Sequence, residues 1–220
     1  MIEAIIFDLD GLLVDSERYW NEARRAMAAE RGVAWNADDH RACMGVSTRT
    51  WANYMIRRLN LDLAPEQVEQ HIIGVMVELY TRQIPYLPGA IDAVNFSVQN
   101  FRTGLASGSP RVLIDAVTND AAMRGKFKVV VCSDELPRGK PAPDVYLKAA
   151  ELLGVEPGRC ACLEDSANGI LSGKNAGMFV IAIPDARYAP PSQEILQQAN
   201  CVLTSLADFN LQVIRDLEKA

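Results

Sequence analysis

The stretch Ile5-Ile6-Phe7-Asp8-Leu9-Asp10-Gly11 decides how this chain is organised. The apolar residues from Ala4 to Phe7 are typical of a strand that is buried on both faces, as in a parallel sheet. We expect this strand to end at Asp8, with Gly11 supplying the backbone freedom for the following turn. Because ligands of open α/β sheets bind at the carboxyl ends of the strands, Asp8 and Asp10 lie where chemistry is expected. Taken alone, the stretch fits a functional site at a strand end and a strand followed by an ordinary polar turn equally well.

The composition argues against several kinds of partner. The 220 residues are 49% hydrophobic, which is enough to build one large domain or two small ones. The formal net charge is -6 and no dense basic run occurs, so neither nucleic acid nor a membrane is an expected partner. The longest apolar run, Met178 to Ile183, is far too short to span a membrane, and no secretory signal is recognisable before Asp8.

The cysteines indicate a reducing compartment. They are 5 in number and widely scattered. Cys160 and Cys162 are separated by one residue, which places both on one face of a strand. We interpret the cysteines as buried free thiols rather than as metal ligands, and a cytoplasmic location fits this interpretation. The full set is Cys43, Cys132, Cys160, Cys162 and Cys201.

Residues 15–82 are predicted to form an all-helical insert. Ser16 can cap a first helix, and Gly32 ends it. A second helix carries Trp51 and Leu59 on its apolar face. Pro65 opens a third helix, whose apolar residues keep a period of about 3.6 residues.

From residue 83 onward, helices and strands alternate. The expected strands cover residues 101–106, 128–132, 160–163, 178–183 and 201–203, and the expected helices cover residues 90–98, 144–154 and 206–217, with others after Pro110 and Ser166. Such alternation implies right-handed crossovers and a parallel sheet. The predicted fold class is therefore α/β. Residues 1–14 and 83–220 form a Rossmann-like, doubly wound parallel sheet core, and the small all-helical domain is inserted after the first strand.

Four short polar stretches each follow a predicted strand. They are Asp8 to Gly11, Ala106 to Ser109, Gly139 to Pro141 and Leu163 to Ser166, the third lying a few residues beyond its strand. A parallel sheet brings the carboxyl ends of its strands to one edge. Carboxylates, a hydroxyl, backbone N–H groups and an ammonium are therefore expected together in one crevice.

This combination of groups suits phosphoryl transfer. A carboxylate can attack a negatively charged phosphoryl group only where cations offset the repulsion. Lys140 supplies one positive charge that can bind phosphate. Ser107 and the N–H groups of Gly108 and Ser109 can bind phosphate oxygens near a helix N-terminus. Carboxylate oxygens can hold a hard cation such as Mg²⁺, and the candidate ligands are Asp8, Asp10 and Asp165.

With these motifs in place, the chain resembles the haloacid dehalogenase-like hydrolases, and within them the sugar-phosphatase and β-phosphoglucomutase-like branch. The resemblance covers essentially the whole chain, and the helical insert matches that family's small cap domain. Each motif is weak alone, but all of them occur in order and at plausible spacing. Motif by motif, the matching residues are Asp8, Asp10 and Gly11, then Ser107, then Lys140, then Glu164 and Asp165.

The resemblance implies a mechanism. Asp8 attacks phosphorus and forms an aspartyl phosphate, a form of covalent catalysis by a carboxylate. Asp10 protonates the leaving oxygen and later deprotonates the attacking water. Mg²⁺ is held by the carboxylates of Asp8 and Asp165 and by the backbone carbonyl of Asp10, and Glu164 supports this metal shell through water. Lys140 positions Asp8 and the phosphate.

The insert is expected to choose the substrate, a small phosphorylated metabolite such as a sugar phosphate. The resemblance places Arg49 in a region of the cap that contacts substrate in related proteins. Arg82 and Arg111 are further candidates for substrate contact, although most surface arginines have no specific role. Trp20 and Trp51 fit the core of the cap better than a sugar-stacking platform. A monomer is the expected oligomeric state.

Two alternatives to a phosphatase stay open. The first is a phosphomutase on the same scaffold. The β-phosphoglucomutase pattern has a histidine early in the first cap helix, and Trp20 stands at that position here, which favours hydrolysis. The second alternative is a non-catalytic sensor of a phosphorylated ligand. Such a sensor is expected to have lost a catalytic group, and none of the groups named above is missing.

Overall fold

A six-stranded sheet forms the centre of the computed structural model, which describes residues 1–44, 48–185, 187–188 and 190–219. All of its strands are parallel, as the sequence predicts. The strands are β1 (Ala4–Phe7), β2 (Arg102–Ser107), β3 (Val129–Cys132), β4 (Cys160–Glu164), β5 (Phe179–Ala182) and β6 (Cys201–Val202). Their order across the sheet is β3-β2-β1-β4-β5-β6.

Strand β1 lies in the middle of this order and is completely buried, as its apolar sequence requires. Phe7 lies opposite Leu105 of β2 on one side and opposite Leu163 of β4 on the other. The order of the strands reverses between β1 and β4, and ligands of doubly wound sheets bind outside the carboxyl ends at such a reversal. Asp8 directly follows β1 at this point.

Helices follow most of the strands. They are α1 (Ser16–Glu30), α2 (Ala37–Cys43), α3 (Thr48–Leu59), α4 (Pro65–Arg82), α5 (Ala90–Asn100), α6 (Arg111–Thr118), α7 (Asp144–Leu153), α8 (Ala167–Asn175), α9 (Gln193–Leu196) and α10 (Leu211–Leu217). Short 3₁₀ turns cover Ser133–Glu135, Pro157–Arg159 and Leu206–Asp208. Within the described ranges, no helix is both long and apolar enough to cross a membrane.

The chain divides into two compact units. The first consists of Met1–Asp15 and Pro85–Ala220 and contains the sheet, and the second is Ser16–Ile84 and contains α1 to α4. In the first unit, Cys160 and Cys162 are buried free thiols, as predicted. In the second unit, α1 and α3 pack against α4 around buried apolar side chains. These include Trp51, Met55, Ile72 and Met76.

The two points where the chain leaves and re-enters the first unit lie side by side. The backbone N–H of Asp15 donates a hydrogen bond to the carbonyl of Pro85 at 2.8 Å, and that of Leu87 donates to Leu13 at 2.9 Å. The carboxylate of Asp15 also accepts a hydrogen bond from Arg187 at 2.8 Å. Backbone hydrogen bonds therefore join the two segments at which the chain leaves and re-enters the first unit, and an ion pair adds to them.

The structure corrects the sequence-based assignment at three helices. Helix α2 is not predicted, although Asn36 and Asp39 form a capping box at its start. Helix α9 is also not predicted. The single helix expected over residues 206–217 is interrupted, because the side chain of Asn210 accepts hydrogen bonds from Gln212 and Val213 and starts a new helix there.

Asp39 is the buried polar centre of the second unit. Only 2% of its surface is exposed, and its carboxylate accepts hydrogen bonds from the backbone of Asn36 at 2.9 Å, from Tyr54 at 2.7 Å and from Arg58 at 2.7 Å. Burial alone would raise the pKa of Asp39, but these hydrogen bonds outweigh it and hold the pKa below its ordinary value. The ionised carboxylate therefore stabilises the folded state.

We expect Asp39→Asn to lower the free energy of unfolding by about 2 kcal/mol near neutral pH, since the amide loses charge-assisted hydrogen bonds. Because the folded-state pKa is lowered, this contribution is complete above the unfolded pKa of about 4 and is lost as the pH falls through the folded value. Urea unfolding of both proteins between about pH 7 and about pH 3 measures the difference. Asp38→Asn, at an exposed position of the same helix, is the control. A difference that did not change with pH would contradict the assignment.

Candidate active site

Lys140 connects the ends of three neighbouring strands. Its ammonium donates to Asp8 Oδ1 at 2.5 Å, to Glu164 Oε1 at 2.6 Å and to the backbone carbonyl of Ala106 at 3.1 Å. Asp8 follows β1, Glu164 ends β4 and Ala106 lies in β2. The structure thus brings together Asp8, Lys140 and Glu164, which the sequence places far apart.

Glu164 is fully buried and both of its carboxylate oxygens are hydrogen-bonded. Oε1 accepts from Lys140 and also from the hydroxyl of Tyr146 at 2.5 Å, and Oε2 accepts from Ser166 at 3.3 Å. Ser166 also caps α8, as predicted, by accepting from the backbone of Gly169. Glu164 lies so close to Gly169 that a Cβ atom at this glycine would overlap the carboxylate.

We expect Gly169→Ala to lower the free energy of unfolding by about 1 to 3 kcal/mol, because the methyl group overpacks a carboxylate that is held on its other side. Gly74→Ala is a matched control. Gly74 also lies inside a helix, and, apart from its chain neighbours and the helix's own backbone, no heavy atom of the described residues lies within 4 Å of the position that its Cβ would take. Alanine there should stabilise the protein by up to about 1 kcal/mol. Chemical denaturation measures both changes, and an equal effect of the two substitutions would contradict the close contact.

Asp10 lies against two serines at the end of β2, Ser107 and Ser109. Its Oδ2 accepts from the hydroxyl of Ser109 at 2.6 Å and from that of Ser107 at 3.2 Å. The N–H of Ser109 donates to Ser107 Oγ at 3.0 Å, whereas Gly108 is exposed. The other oxygen of Asp10, Oδ1, is buried and has no hydrogen-bond partner among the described residues. That oxygen is available to accept or deliver a proton.

Asp165 completes an acidic cluster. One carboxylate oxygen from each of Asp8, Glu164 and Asp165 can be chosen so that all three lie within 4.8 Å of one another. Gly11, which has a φ angle of +74°, permits this arrangement, because a Cβ atom there would overlap Asp165. In the described part of the chain, Asp165 forms no ion pair.

Negative charge exceeds positive charge in this cluster. Burial raises the pKa of Asp8, and Glu164 and Asp10 raise it further, although the ammonium of Lys140 opposes them. Burial and the charges of Asp8 and Glu164 likewise raise the pKa of Asp165. Burial alone would lower the pKa of Lys140, but the two adjacent carboxylates raise it, so that Lys140 stays charged. A hard cation bound through oxygen would offset the remaining repulsion, so the donor set fits Mg²⁺.

Two of the other candidate arginines lie beside acidic side chains. Arg49 lies in the second unit, is exposed, and its Nη1 is 3.8 Å from Glu66. Arg111 donates two hydrogen bonds to Glu135, at 2.7 and 2.8 Å. Arg82 is exposed in the last turn of α4. The rings of Trp20 and Trp51 lie 6.1 Å apart.

Tyr146 contacts Glu164 in the structure, and the sequence does not indicate this contact. The tyrosine lies on the buried face of α7 and resembles any other apolar position of that helix. The available signal is chemical, since a buried tyrosine hydroxyl needs a hydrogen-bond partner. Which partner it takes depends on how α7 packs against the sheet, and the sequence does not give that packing.

Comparison with known proteins gives consistent matches over most of the chain. The family model of the haloacid dehalogenase-like hydrolases matches residues 2–177. Hexitol phosphatase B of Escherichia coli is 34% identical over 219 residues, which are 98% of this chain and 94% of that protein. A probable pseudouridine-5'-phosphatase of Drosophila melanogaster is 34% identical over 211 residues, which are 93% of this chain and 90% of that protein.

Solved structures of similar fold give the same result. The crystal structure of a putative beta-phosphoglucomutase from Thermotoga maritima has a TM-score of 0.83 and 26% identity, and covers 98% of this chain and 99% of that one. CbbY from Rhodobacter sphaeroides, solved in complex with phosphate, has a TM-score of 0.81 and 26% identity. That match covers 94% of this chain and 96% of the other.

Proposed function

Since the chain belongs to the haloacid dehalogenase-like hydrolases, in their sugar-phosphatase branch, and is a phosphoric monoester hydrolase, we propose a mechanism and a class of substrate for it. We propose a Mg²⁺-dependent phosphatase that hydrolyses a small phosphorylated metabolite through an aspartyl phosphate on Asp8. One observation carries this proposal. The ammonium of Lys140 lies 2.5 Å from Asp8, at the point of the sheet where the order of the strands reverses.

Asp8 is proposed as the nucleophile. Its carboxylate forms a bond to phosphorus while the bond between phosphorus and the leaving oxygen breaks, and water later cleaves the aspartyl phosphate to release inorganic phosphate. Lys140, which already contacts Asp8, reduces the repulsion between that carboxylate and the phosphoryl oxygens. The hydroxyl of Ser107 and the backbone of Gly108 and Ser109 are proposed to bind those oxygens.

Asp10 is proposed as the general acid and base. It donates its proton to the leaving oxygen in the first step and takes a proton from water in the second, so its protonation is restored after each cycle. The buried Oδ1 of Asp10, which has no partner among the residues that the structure describes, supports this role. Ser109 holds the opposite oxygen in place, and the hydroxyl of Ser107, which also contacts that oxygen in the structure, is proposed to turn from it to the phosphoryl oxygens.

Asp8 and Asp165 would hold Mg²⁺, together with the backbone carbonyl of Asp10 and with Glu164 through water. When bound, the cation would neutralise charge on the phosphoryl group during transfer. The excess of carboxylates over ammonium groups in the cluster supports this assignment.

A phosphorylated sugar or sugar alcohol is the proposed substrate class, in line with the similarity to hexitol phosphatase B. Arg49 is proposed to contact the substrate, and the second unit is proposed to act as the cap. A monomeric state and a cytoplasmic location stay predictions.

A phosphatase assay tests the proposal. We expect release of inorganic phosphate from hexose and hexitol phosphates, and from p-nitrophenyl phosphate, in the presence of Mg²⁺ and not in the presence of EDTA. Release that did not depend on Mg²⁺ would overturn the metal assignment. If no phosphate were released from any of these esters, the proposed phosphatase activity would be overturned.

The similarity to a putative beta-phosphoglucomutase makes a phosphomutase the second candidate. Incubation with β-glucose 1-phosphate and a bisphosphate primer distinguishes the two activities. Glucose 6-phosphate as the product would identify a mutase, whereas free phosphate alone would identify a phosphatase.

A further inference from the structure

We propose that Tyr146 is a positioning residue for phosphoryl transfer, a role that rests on the function proposed above. Its hydroxyl fixes the carboxylate of Glu164, and through Glu164 it holds the ammonium of Lys140 against Asp8. The three side chains Tyr146, Glu164 and Lys140 are called the positioning chain below.

Tyr146 contacts both of the other members of the positioning chain. It has no exposed surface and is the largest fully buried side chain of the described residues. Its hydroxyl donates to Glu164 Oε1 at 2.5 Å, the same oxygen that accepts from Lys140 at 2.6 Å. The ammonium of Lys140 also lies 5.1 Å from the centroid of the Tyr146 ring, within the range of a cation–π contact.

The orientation of Lys140 depends on all three of its acceptors. An ammonium has three N–H donors, and here they face Asp8, Glu164 and the carbonyl of Ala106. If Glu164 turned away, one donor would lose its acceptor and the ammonium could leave the nucleophile. Buried, fully hydrogen-bonded networks of this kind fix a single geometry.

Tyr146 is the group that prevents Glu164 from turning. The other contacts of this carboxylate are weaker or only steric, namely the 3.3 Å hydrogen bond from Ser166 and the close approach of Gly169. The hydrogen bond from Ser166 is to Oε2, and Gly169 lies close to the whole carboxylate, so among the described residues the hydroxyl of Tyr146 is the hydrogen-bond donor that reinforces Oε1 beside Lys140. Removing that hydroxyl should therefore loosen Lys140 without changing its charge.

This arrangement separates two tasks within the acidic cluster. Both oxygens of Glu164 are hydrogen-bonded within the protein, whereas Asp165 forms no ion pair in the described ranges. We therefore assign to Glu164 chiefly the task of holding Lys140, and to Asp8 and Asp165 the task of binding the cation directly. A change in the positioning chain should affect turnover, and a change at Asp165 should affect Mg²⁺ affinity.

Tyr146→Phe tests the proposal, because it keeps the ring beneath Lys140 and removes only the hydroxyl. We expect kcat for p-nitrophenyl phosphate to fall by about 10- to 100-fold while KM changes less than about threefold. The affinity for Mg²⁺, measured directly by isothermal titration calorimetry, should stay that of the wild type. Asp165→Asn should weaken it strongly.

Tyr54→Phe is the matched control. It also removes a hydrogen bond from a tyrosine to a buried carboxylate, at 2.7 Å, but Tyr54 and Asp39 belong to the second unit, whereas the positioning chain belongs to the first. Its stability loss should be similar to that of Tyr146→Phe, and its kcat should be that of the wild type. Equal effects of the two substitutions on kcat would show that Tyr146 has only a structural role and would overturn the proposal.

A double-mutant cycle shows whether Tyr146 acts through Glu164. In a Glu164→Gln background, Tyr146→Phe should lower kcat little further. If the fold-losses in kcat of the two single variants multiplied in the double variant, the proposal would be overturned. If Tyr146→Phe does not fold, Glu164→Gln alone carries the test, and its loss in kcat is expected to be larger than its loss in Mg²⁺ affinity. A wild-type protein that hydrolyses no ester would refute the proposed function instead, and loss of Mg²⁺ affinity in Tyr146→Phe would refute only the separation of tasks.

Discussion

Replacing Asp8 with asparagine should abolish phosphate release, by about 10⁴- to 10⁶-fold in kcat, while the fold is retained. The amide has nearly the same shape as the carboxylate but cannot form an acyl phosphate. The substitution also removes one of the carboxylates that crowd this buried site, so the lost contact with Lys140 is partly offset by weaker repulsion from Glu164. Phosphate release and thermal unfolding, measured on the same preparation, check the two parts of this prediction.

Asp92→Asn serves as the control for the Asp8 variant, since Asp92 is an exposed acidic residue in the first turn of α5. It should leave both activity and unfolding temperature close to those of the wild type. If Asp8→Asn kept a rate near that of the wild type, another group would have to be the nucleophile.

Lys140→Met should have the largest effect on stability. Methionine fills a similar volume but leaves Asp8 and Glu164 buried next to each other without a cation. Breaking a buried ion pair from one side costs about 3 to 5 kcal/mol, and we expect a loss of this size in the free energy of unfolding in EDTA. The activity should fall by about 10³-fold, since the charge that offsets phosphoryl repulsion is lost.

The loss in Lys140→Met should depend on pH in a defined direction. Without the ammonium, which lowers the pKa of Asp8, that pKa rises further above the unfolded value, so the folded variant binds more protons than the unfolded chain. The destabilisation should therefore shrink as the pH is lowered. Lys148→Met, on the exposed side of α7, should change stability by less than about 0.5 kcal/mol. A destabilisation that grew at low pH would contradict the buried pair.

Polar residues at or soon after the end of a strand were predictable from the sequence as neighbours, because a parallel sheet brings such residues to one edge regardless of their separation along the chain. This reasoning places Asp8, Lys140, Glu164 and Asp165 together, as the structure has them. It depends only on hydrophobic periodicity and on the position of the polar residues that follow each strand.

Contacts that depend on the rotation of a helix were not predictable. The hydroxyl of Tyr146 reaches Glu164 only because of the way α7 lies on the sheet, and Arg111 is held by Glu135 from a separate turn. Helix α2 escaped detection for a different reason. It has 7 residues, too few to establish a period, and only its capping box could have indicated it.

The pairing of Asp15 with Pro85 has an evolutionary consequence. Since these residues are one hydrogen bond apart, the helical segment between them interrupts the sheet-containing unit at a single place in space. A short loop could bridge that gap at little entropic cost, and so could a segment of quite different length. Inserted segments can therefore be exchanged, lengthened or lost during divergence without a change in the order of the strands. The carboxylates at the edge of the sheet can stay unchanged while the insert diversifies.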